Sequence, residues 1–413
     1  MTEIKNLKKV ANRIIKAIKN KEKIILYGDA DLDGVTSIII LKETIKNLGG
    51  EVAAIYFPNR EIEGYGITET GLNYLKAEFS FMEARRKKKT KFSSPNLSSV
   101  LLIALDLGIG NFKEVKLAKK LGFEVIIVDH HEILDKLPEA EIVVDPKQKG
   151  DKYSFKELAA VGIAFKLSEE IFSSLANGKK NGMPDSLKKS FLELTALGTI
   201  ADMMPRKNDN EIFIKKGLKS LENSWRPGIQ VFFKEFLVGR WVDCSLNLDQ
   251  KVYKIISILN VRDVKNNLPA SFRLLTAPSV EELKEILKEL FEKSKLRREK
   301  INEIIEETEE RISEGDFPII FEGDSNFDFT LISVVASLIC KKYKKPTFVF
   351  KKLEKESQGT VRAPSGINTV VLMKKCKKYL LTYGGHPAAS GFRIKNENLE
   401  KFKECLIKNI CAK

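Results

Sequence analysis

Residues 23–34 read KIILYGDADLDG, in which the apolar run at residues 24–27 is followed by three closely spaced aspartates. The run is continuously apolar and does not alternate, which is typical of a strand buried on both faces of a parallel α/β sheet. Residues 100–106, VLLIALD, and residues 125–131, VIIVDHH, repeat the pattern. Because such sheets bind ligands beyond the carboxyl ends of their strands, the sequence predicts one acidic crevice at that edge.

The three aspartates of the first stretch, Asp29, Asp31 and Asp33, occupy alternate positions. In an extended segment alternate side chains face the same way, so the three carboxylates can converge on one point. A single aspartate in such a loop is more often a helix cap, but three buried negative charges are costly without a cation. The triplet therefore predicts metal ligands.

A tandem histidine gives the sharpest chemical signal. The chain has three histidines, and His130 and His131 stand together after Asp129 at the end of an apolar run. Neutral imidazole with carboxylates suits Mn²⁺ or a related first-row metal, and Asp129 is placed to fix an imidazole tautomer. Asp106 and Asp202 end or interrupt other apolar segments. Taken alone, each of these two is better explained as a cap or a paired buried acid than as a ligand.

The third histidine lies in residues 383–392, YGGHPAASGF. Paired glycines allow backbone N–H groups to approach an anion closely, so this segment predicts a phosphate-binding loop, although a Gly-Gly-His sequence is often only a turn. The candidate donors are Gly384, Gly385, His386 and Ser390, with Arg362 as a cationic complement.

Composition sets the class of the protein. A chain of 413 residues is longer than one ordinary domain, so the length predicts at least two domains. An apolar fraction of 43% is typical of globular proteins. The first residues have the spacing of an amphipathic helix and not of a signal peptide. Five widely spaced cysteines indicate a reducing cytoplasm and argue against a structural zinc site. The net charge of +15 favours a polyanionic partner, although lysine-rich composition is equally common in heat- or salt-adapted proteins.

The chain predicts three regions: an α/β domain over residues 1–278, a connector helix over 279–313, and a smaller α/β domain over 314–413. The connector is charged, with apolar residues every three or four positions. Residues 79–99 contain the basic run RRKKK and are interpreted as an exposed loop, either a solvated insertion or a phosphate contact.

The motifs in this order resemble the DHH phosphoesterase superfamily, in the DHH/DHHA1 branch of RecJ-like single-strand exonucleases and their archaeal relatives. The resemblance covers nearly the whole chain. It rests on residues 29–34, 106–108, 129–131, 202 and 384–386, with residues 58–60 and 63–66 similar to a RecJ-type segment. It implies a parallel-sheet DHH domain joined by the long helix to a DHHA1 domain, with an active-site cleft between them.

The resemblance also implies two-ion hydrolysis, with Mn²⁺ as the ion and Mg²⁺ or Co²⁺ as substitutes. The implied ligands are Asp29, Asp31, Asp33, Asp106, His130 and Asp202. Asp106 is expected to bridge the ions, and His131 to contact the scissile phosphate. The implied substrate contacts are Arg60, Arg362, Gly384, Gly385, His386 and Ser390.

The expected function is exonucleolytic cleavage of single-stranded DNA or RNA to nucleoside monophosphates, in repair or replication, with replication or repair proteins or a second copy of the chain as partners. One alternative is an oligoribonuclease or cyclic-dinucleotide phosphodiesterase. Another is a non-catalytic replication scaffold, which the complete ligand set disfavours.

The chain departs from many relatives in having Tyr27 where they carry histidine, and only Asn260 and Arg262 loosely match a late motif. Its length implies a short form without an OB-fold.

Overall fold

The computed structural model describes residues 3–60, 62–89, 100–133, 136–175, 182–234, 246–261, 263–279, 282–312 and 318–411, with the backbone alone for residues 81–89. The chain divides into two compact units, residues 1–291 and residues 292–413. None of the helices in these described ranges combines the length and apolar character needed to cross a membrane.

The N-terminal unit contains a five-stranded sheet in the order β2-β1-β3-β4-β5. Its strands are β1 Ile24–Gly28, β2 Val52–Tyr56, β3 Val100–Leu105, β4 Phe123–Val128 and β5 Ile142–Val144. Each neighbouring pair is parallel, which confirms the predicted parallel sheet. All five carboxyl ends therefore lie at one edge.

Helices cover both faces of this sheet. They are α1 Leu7–Lys19, α2 Leu32–Asn47, α3 Glu69–Lys89, α4 Phe112–Lys120, α5 Ala160–Leu175, α6 Asp185–Ala201, α7 Asn208–Leu221, α8 Pro227–Lys234, α9 Leu248–Leu259 and α10 Ala270–Thr276, with a short hairpin of β6 Val264–Lys265 and β7 Leu268–Pro269. In β1, Ile24 and Leu26 enter one apolar cluster while Ile25 and Tyr27 enter another. Burial on both faces explains why the strand is continuously apolar.

Residues 79–99 were predicted to form an exposed loop, and that prediction is wrong for residues 79–89, which include the whole basic run RRKKK. Residues 79–89 form the end of α3. The reason is local: alanine, arginine, lysine, glutamate and methionine are strong helix formers and extend a helix that Leu72, Leu75 and Phe79 anchor in the core. Residues 90–99 lie outside the described residues.

The predicted connector helix is present as α11, Leu283–Ile312. Its apolar residues recur at helical spacing: Leu283, Leu287 and Leu290 join the core of the N-terminal unit, while Ile301 and Ile304 join a cluster of the C-terminal unit. The division between the two units falls inside this helix, at Phe291.

The C-terminal unit is a smaller α/β structure, as predicted, with the strand order β11-β12-β10-β9-β8. Its elements are β8 Ile320–Asp324, α12 Ile332–Tyr343, β9 Thr347–Lys352, β10 Glu356–Arg362, α13 Thr369–Lys375, β11 Leu380–His386, β12 Ala389–Lys395 and α14 Leu399–Cys411, with 3₁₀ turns at Lys377–Tyr379 and Asn396–Asn398. Only β8 and β9 pair in parallel among these strands; the other pairs are antiparallel. Phe348, Phe350, Phe392 and Phe402 fill one side of the sheet.

A disulfide joins Cys376 to Cys405, 29 residues apart. The cysteine spacing had indicated reduced thiols, and this pair corrects that expectation. The pairing arises because α13, which Cys376 follows, packs against α14, which carries Cys405. Cys340 is buried as a free thiol. A cytoplasmic location stays a prediction.

Candidate metal centre

Three site residues follow directly from three neighbouring strands. Asp29 follows β1, Asp106 follows β3 and Asp129 follows β4, and each is at most 2% exposed. Their backbone N–H groups donate to the last carbonyls of the adjacent strands: Asp29 to Leu105 at 3.3 Å, Asp106 to Val128 at 3.0 Å, and Asp129 to Val144 at 3.0 Å. The sheet itself therefore fixes the spacing of the three carboxylates.

His130 lies at the middle of the carboxylates and is fully buried. Its Nε2 atom lies 3.1 Å from Asp106 Oδ1, 3.5 Å from Asp202 Oδ2 and 3.6 Å from Asp33 Oδ2. Asp202, which ends α6, is thus brought to the sheet edge from a distant part of the sequence. The structure places these four predicted ligands together.

The aspartate triplet does not form one extended segment, as the alternation had suggested. Asp31 caps α2, accepting from the Gly34 backbone N–H at 3.2 Å, and Asp33 lies in the first helical turn. The Asp33 carboxylate accepts from the backbone N–H groups of Ala160 and Val161 at 2.9 and 2.8 Å. The triplet is therefore divided, because the helix begins immediately after the strand and turns Asp33 towards α5.

Among the described residues of the N-terminal unit, candidate ligand atoms form three overlapping groups, and the atoms of each group lie within 4.8 Å of one another. The groups are Asp29, Asp31 and Asp106; Asp33, Asp106 and His130; and Asp106, Asp129 and His131. Asp106 belongs to all three. Its backbone φ of 64° is left-handed, a conformation that costs a non-glycine residue about 1 kcal/mol and is typical of functional sites.

The electrostatics of the cluster fit a cation. Burial, reinforced by the Asp31 carboxylate, raises the pKa of Asp33 to about 7. Burial and the neighbouring Asp33 and Asp31 carboxylates raise the pKa of Asp106 well above its ordinary range. Carboxylates forced together without water resist ionisation, and a divalent ion removes that penalty. Oxygen ligands with one imidazole nitrogen match Mn²⁺ or a similar metal.

His131 pairs with Asp129. Asp129 Oδ1 lies 2.7 Å from His131 Nδ1 and accepts from the His130 backbone N–H at 2.7 Å, while Oδ2 accepts from the Ile109 backbone N–H at 3.1 Å. Burial opposes the charged form of both groups, yet their mutual attraction lowers the pKa of Asp129 and raises the pKa of His131. Asp129 therefore orients the second histidine of the pair and favours its protonated form.

Arg60 reaches the edge of the cluster from the segment after β2. Its guanidinium forms an ion pair with Asp29, with Nε 2.7 Å from Oδ1, and lies 3.3 Å from Asp31 Oδ2. It also lies over the Tyr65 ring at 4.8 Å, and the Tyr65 hydroxyl lies 3.2 Å from His131 Nε2. Tyr65 was not among the predicted site residues; its position in residues 63–66 was the available signal.

Tyr27 takes no part in the cluster. Its hydroxyl accepts from the Thr68 backbone N–H at 3.1 Å within the second apolar cluster. The late motif contributes indirectly, since Asn260 Oδ1 accepts from the Leu32 backbone N–H at 3.2 Å. Arg262 lies outside the described residues.

Asp145 and Lys147, after β5, were missed at the sequence level. Lys147 Nζ donates to the His130 carbonyl at 2.7 Å and lies 3.2 Å from Glu132 Oε1, while its backbone N–H donates to Asp145 Oδ1 at 2.7 Å. These contacts hold the segment after β4 against the segment after β5. They were missed because the strand before them, β5, has only three residues and is too short to be recognised in the sequence.

The predicted phosphate-binding loop is a strand end. Gly384, Gly385 and His386 close β11, and the register pairs His386 with Ala389 and Ala389 with Arg362. The glycines fit because a Cβ at Gly385, where φ is 125°, would lie 2.7 Å from the Ala389 carbonyl oxygen. Arg362 and His386 therefore lie at the same edge of the C-terminal sheet.

Two of these polar groups already have partners within the C-terminal unit. Ser390 is buried, with Oγ 2.6 Å from Thr369 Oγ1. Arg362 donates from Nε to Ser337 Oγ at 3.0 Å. The cleft expected between the two domains stays a prediction.

Two protein families match the chain, one in its N-terminal part and one in its C-terminal part. Residues 23–199 match the DHH family, N-terminal domain, and residues 316–411 match the DHHA1 domain. The single-stranded-DNA-specific exonuclease RecJ of Bacillus subtilis (strain 168) is 32% identical over 98% of this chain and 48% of its own length. The RecJ of Thermus thermophilus is 27% identical over 97% of this chain and 54% of its own. The chain thus spans about half the length of these curated relatives.

Solved structures share the fold. A crystal structure of exonuclease RecJ bound to manganese superposes with a TM-score of 0.70 at 25% identity, covering 98% of this chain and 94% of that one. A structure of RecJ in complex with Mn²⁺ from Thermus thermophilus has a TM-score of 0.76 at 22% identity, covering 99% and 55%. With both domain matches in order along the sequence, the chain carries a DHH N-terminal domain followed by a DHHA1 domain.

Proposed function

We propose that this protein is a divalent-metal-dependent nuclease that removes nucleotides from the ends of single-stranded DNA. The observation that carries the proposal is the convergence of the predicted ligands on Asp106, which belongs to three overlapping groups of candidate ligand atoms. The relatives named as exonucleases specific for single-stranded DNA support the substrate class, and the net charge of +15 suits a polyanion.

The proposed ions are two Mn²⁺, with Mg²⁺ as a substitute. The residues that would hold them are Asp29, Asp31, Asp33, Asp106, His130 and Asp202. Divalent ions supply the activation of water and the neutralisation of charge at phosphorus. Asp106 is shared by all three groups and would be the ligand that they have in common.

The side chains around this centre orient the substrate. His131, whose protonated form Asp129 favours, is the proposed donor to a phosphate oxygen as negative charge develops there. Arg60, which pairs with Asp29 at the edge of the cluster, is the proposed contact for a neighbouring phosphate. In the C-terminal unit, Arg362 and the strand end at His386 are the proposed grip on the terminal nucleotide.

The direct test is digestion of 5′- and 3′-labelled single-stranded DNA with Mn²⁺, compared with RNA and dinucleotides. The expected result is a ladder of progressively shortened DNA with nucleoside monophosphates as products. Products confined to dinucleotide substrates would instead support a short-substrate phosphodiesterase, and a lack of any hydrolysis would support a scaffold.

The site assignment is tested by Asp106→Asn, which keeps the size of the side chain but removes the charge shared by the three groups. We expect hydrolysis to fall by roughly 10³-fold or more, together with weaker Mn²⁺ binding in calorimetry. Glu139→Gln is the matched control, since Glu139 is an exposed carboxylate that pairs with Lys116 at the surface. Full activity of Asp106→Asn, with the control also active, would refute the site.

A further inference from the structure

The C-terminal cap of helix α6 has an unusual residue, Met203, in a left-handed conformation. Asp202 caps the helix, and Met203 follows with a left-handed φ of 57°. The Met203 backbone N–H donates to the Ile200 carbonyl at 3.1 Å, and the Met204 backbone N–H donates to the Thr199 carbonyl at 3.2 Å. This pair of hydrogen bonds defines a Schellman C-cap, where glycine is the usual residue. A methionine there costs about 1 kcal/mol relative to a residue without Cβ strain.

The fold gains no burial from Met203 in return. Its side chain is 72% exposed, whereas Met204 packs against the core. Met203 directly follows Asp202, whose Oδ2 lies 3.5 Å from His130 Nε2. A strained, exposed and apolar residue therefore stands beside a proposed metal ligand.

An arginine three residues after Met203 contacts an exposed aromatic residue on α9, a helix that packs against α6. Arg206 donates to the Tyr253 hydroxyl at 3.2 Å, and its guanidinium lies 5.8 Å from the centre of the Tyr253 ring. Tyr253 is 55% exposed on α9, whose opposite face is buried in the core. Four residues of chain span at most roughly 14 Å, so Arg206 lies within that distance of Asp202.

We propose that Met203, with Tyr253 and its partner Arg206, forms a platform on which bases of a single strand stack beside the metal centre. This inference rests on the proposed function. Thioether and aromatic surfaces stack on any base, and an arginine held on a ring adds a cation near the strand. In a duplex the faces of the bases are covered by their neighbours. The platform therefore fits unpaired bases and supports a preference for single strands.

The platform is tested by Met203→Gly in an Asp106→Asn background, where the strand survives the measurement. The probes are a fluorescein-labelled oligothymidylate of about 12 nucleotides and an abasic strand of equal length. Glycine suits the left-handed position, so the variant is expected to be at least as stable to heat. Its preference for the base-bearing strand is expected to fall roughly tenfold.

Three further variants separate stacking from folding. Tyr253→Ala is expected to lower the same preference, while Tyr253→Phe keeps the ring and retains it. Lys344→Gly relieves a comparable exposed, left-handed C-cap at the end of α12, with φ 55°, and is expected to leave the preference unchanged.

An unaltered preference in both Met203→Gly and Tyr253→Ala would overturn the platform while leaving the proposed nuclease intact. Failure of the protein with native Met203 and Tyr253 to bind either strand, or to cleave single-stranded DNA when Asp106 is intact, would overturn both proposals. A preference lost only in Met203→Gly and Tyr253→Ala, with Lys344→Gly unaffected, supports the platform.

Discussion

Replacing Asp145 by asparagine is expected to flatten the pH dependence of stability in the N-terminal unit. Asp145 is fully buried after β5, and its Oδ2 atom has no hydrogen-bond partner among the residues that the structure describes. Burial, reinforced by the Asp129 carboxylate, raises the pKa of Asp145 to about 8. Asparagine preserves the oxygen that accepts from the Lys147 backbone N–H and has no proton to lose.

The sign follows from the direction of the pKa shift. An unfolded aspartate has a pKa of about 3.9, so between roughly pH 4 and pH 8 the folded chain holds a proton that the unfolded chain has released. This contribution favours folding below about pH 4 and is lost as the pH rises towards 8. Each pH unit in that window lowers the free energy of unfolding by up to about 1.4 kcal/mol. Between about pH 5 and pH 7 the loss is about 2 to 3 kcal/mol.

The assay is urea unfolding at about pH 5 and pH 7, with a chelator present so that metal binding does not contribute. The native protein is expected to lose about 2 to 3 kcal/mol more than Asp145→Asn over this interval. Glu139→Gln, an exposed carboxylate in the same unit, should retain the native slope. If the curves of the native protein and Asp145→Asn run parallel, the buried proton on Asp145 is refuted.

Two further changes test other parts of the fold. Arg226 is 2% exposed and donates two hydrogen bonds, of 2.8 and 2.5 Å, to the Glu43 carboxylate. Because Arg226→Met leaves that carboxylate without its partner, the free energy of unfolding in urea should fall by about 3 to 5 kcal/mol. An unchanged unfolding midpoint would contradict this. Reducing the Cys376–Cys405 disulfide opens a loop of 29 residues and should destabilise the C-terminal unit by about 3 to 4 kcal/mol. Scanning calorimetry with and without reductant measures it, with Cys405→Ser as the matched variant.

The sequence predicts which polar residues gather at the edge of the sheet because the strands that position them are easily recognised. β1, β3 and β4 are buried on both faces, which leaves an unbroken apolar run, and the aspartates are the next residues in the chain. The positions of Asp29, Asp106 and Asp129 therefore follow from the strand ends, whereas their role as ligands stays a proposal. Asp202 required the whole pattern, since it arrives from a helix end whose position relative to the sheet is set by tertiary packing.

Other features escaped because their signals are local and weak, or because they depend on partners far along the chain. The helix start at Asp31 overrode the extended geometry expected for the triplet. Strand β5 has three residues, so Asp145 and Lys147 carried no periodicity to detect. Gly385 was interpreted as a loop residue, yet its strand pairing with β12 is an antiparallel contact that spacing alone does not specify.

The three hydrogen bonds from Asp29, Asp106 and Asp129 to the carbonyls that end the adjacent strands have a consequence for how the centre is assembled and how it changes. The backbone of each aspartate is hydrogen-bonded to the end of the adjacent strand, so the spacing of the three residues is set by the spacing of the strands and not by loop lengths. A shift of one strand by a single residue would therefore separate the three carboxylates. The centre is therefore acquired or lost as a whole, together with the sheet.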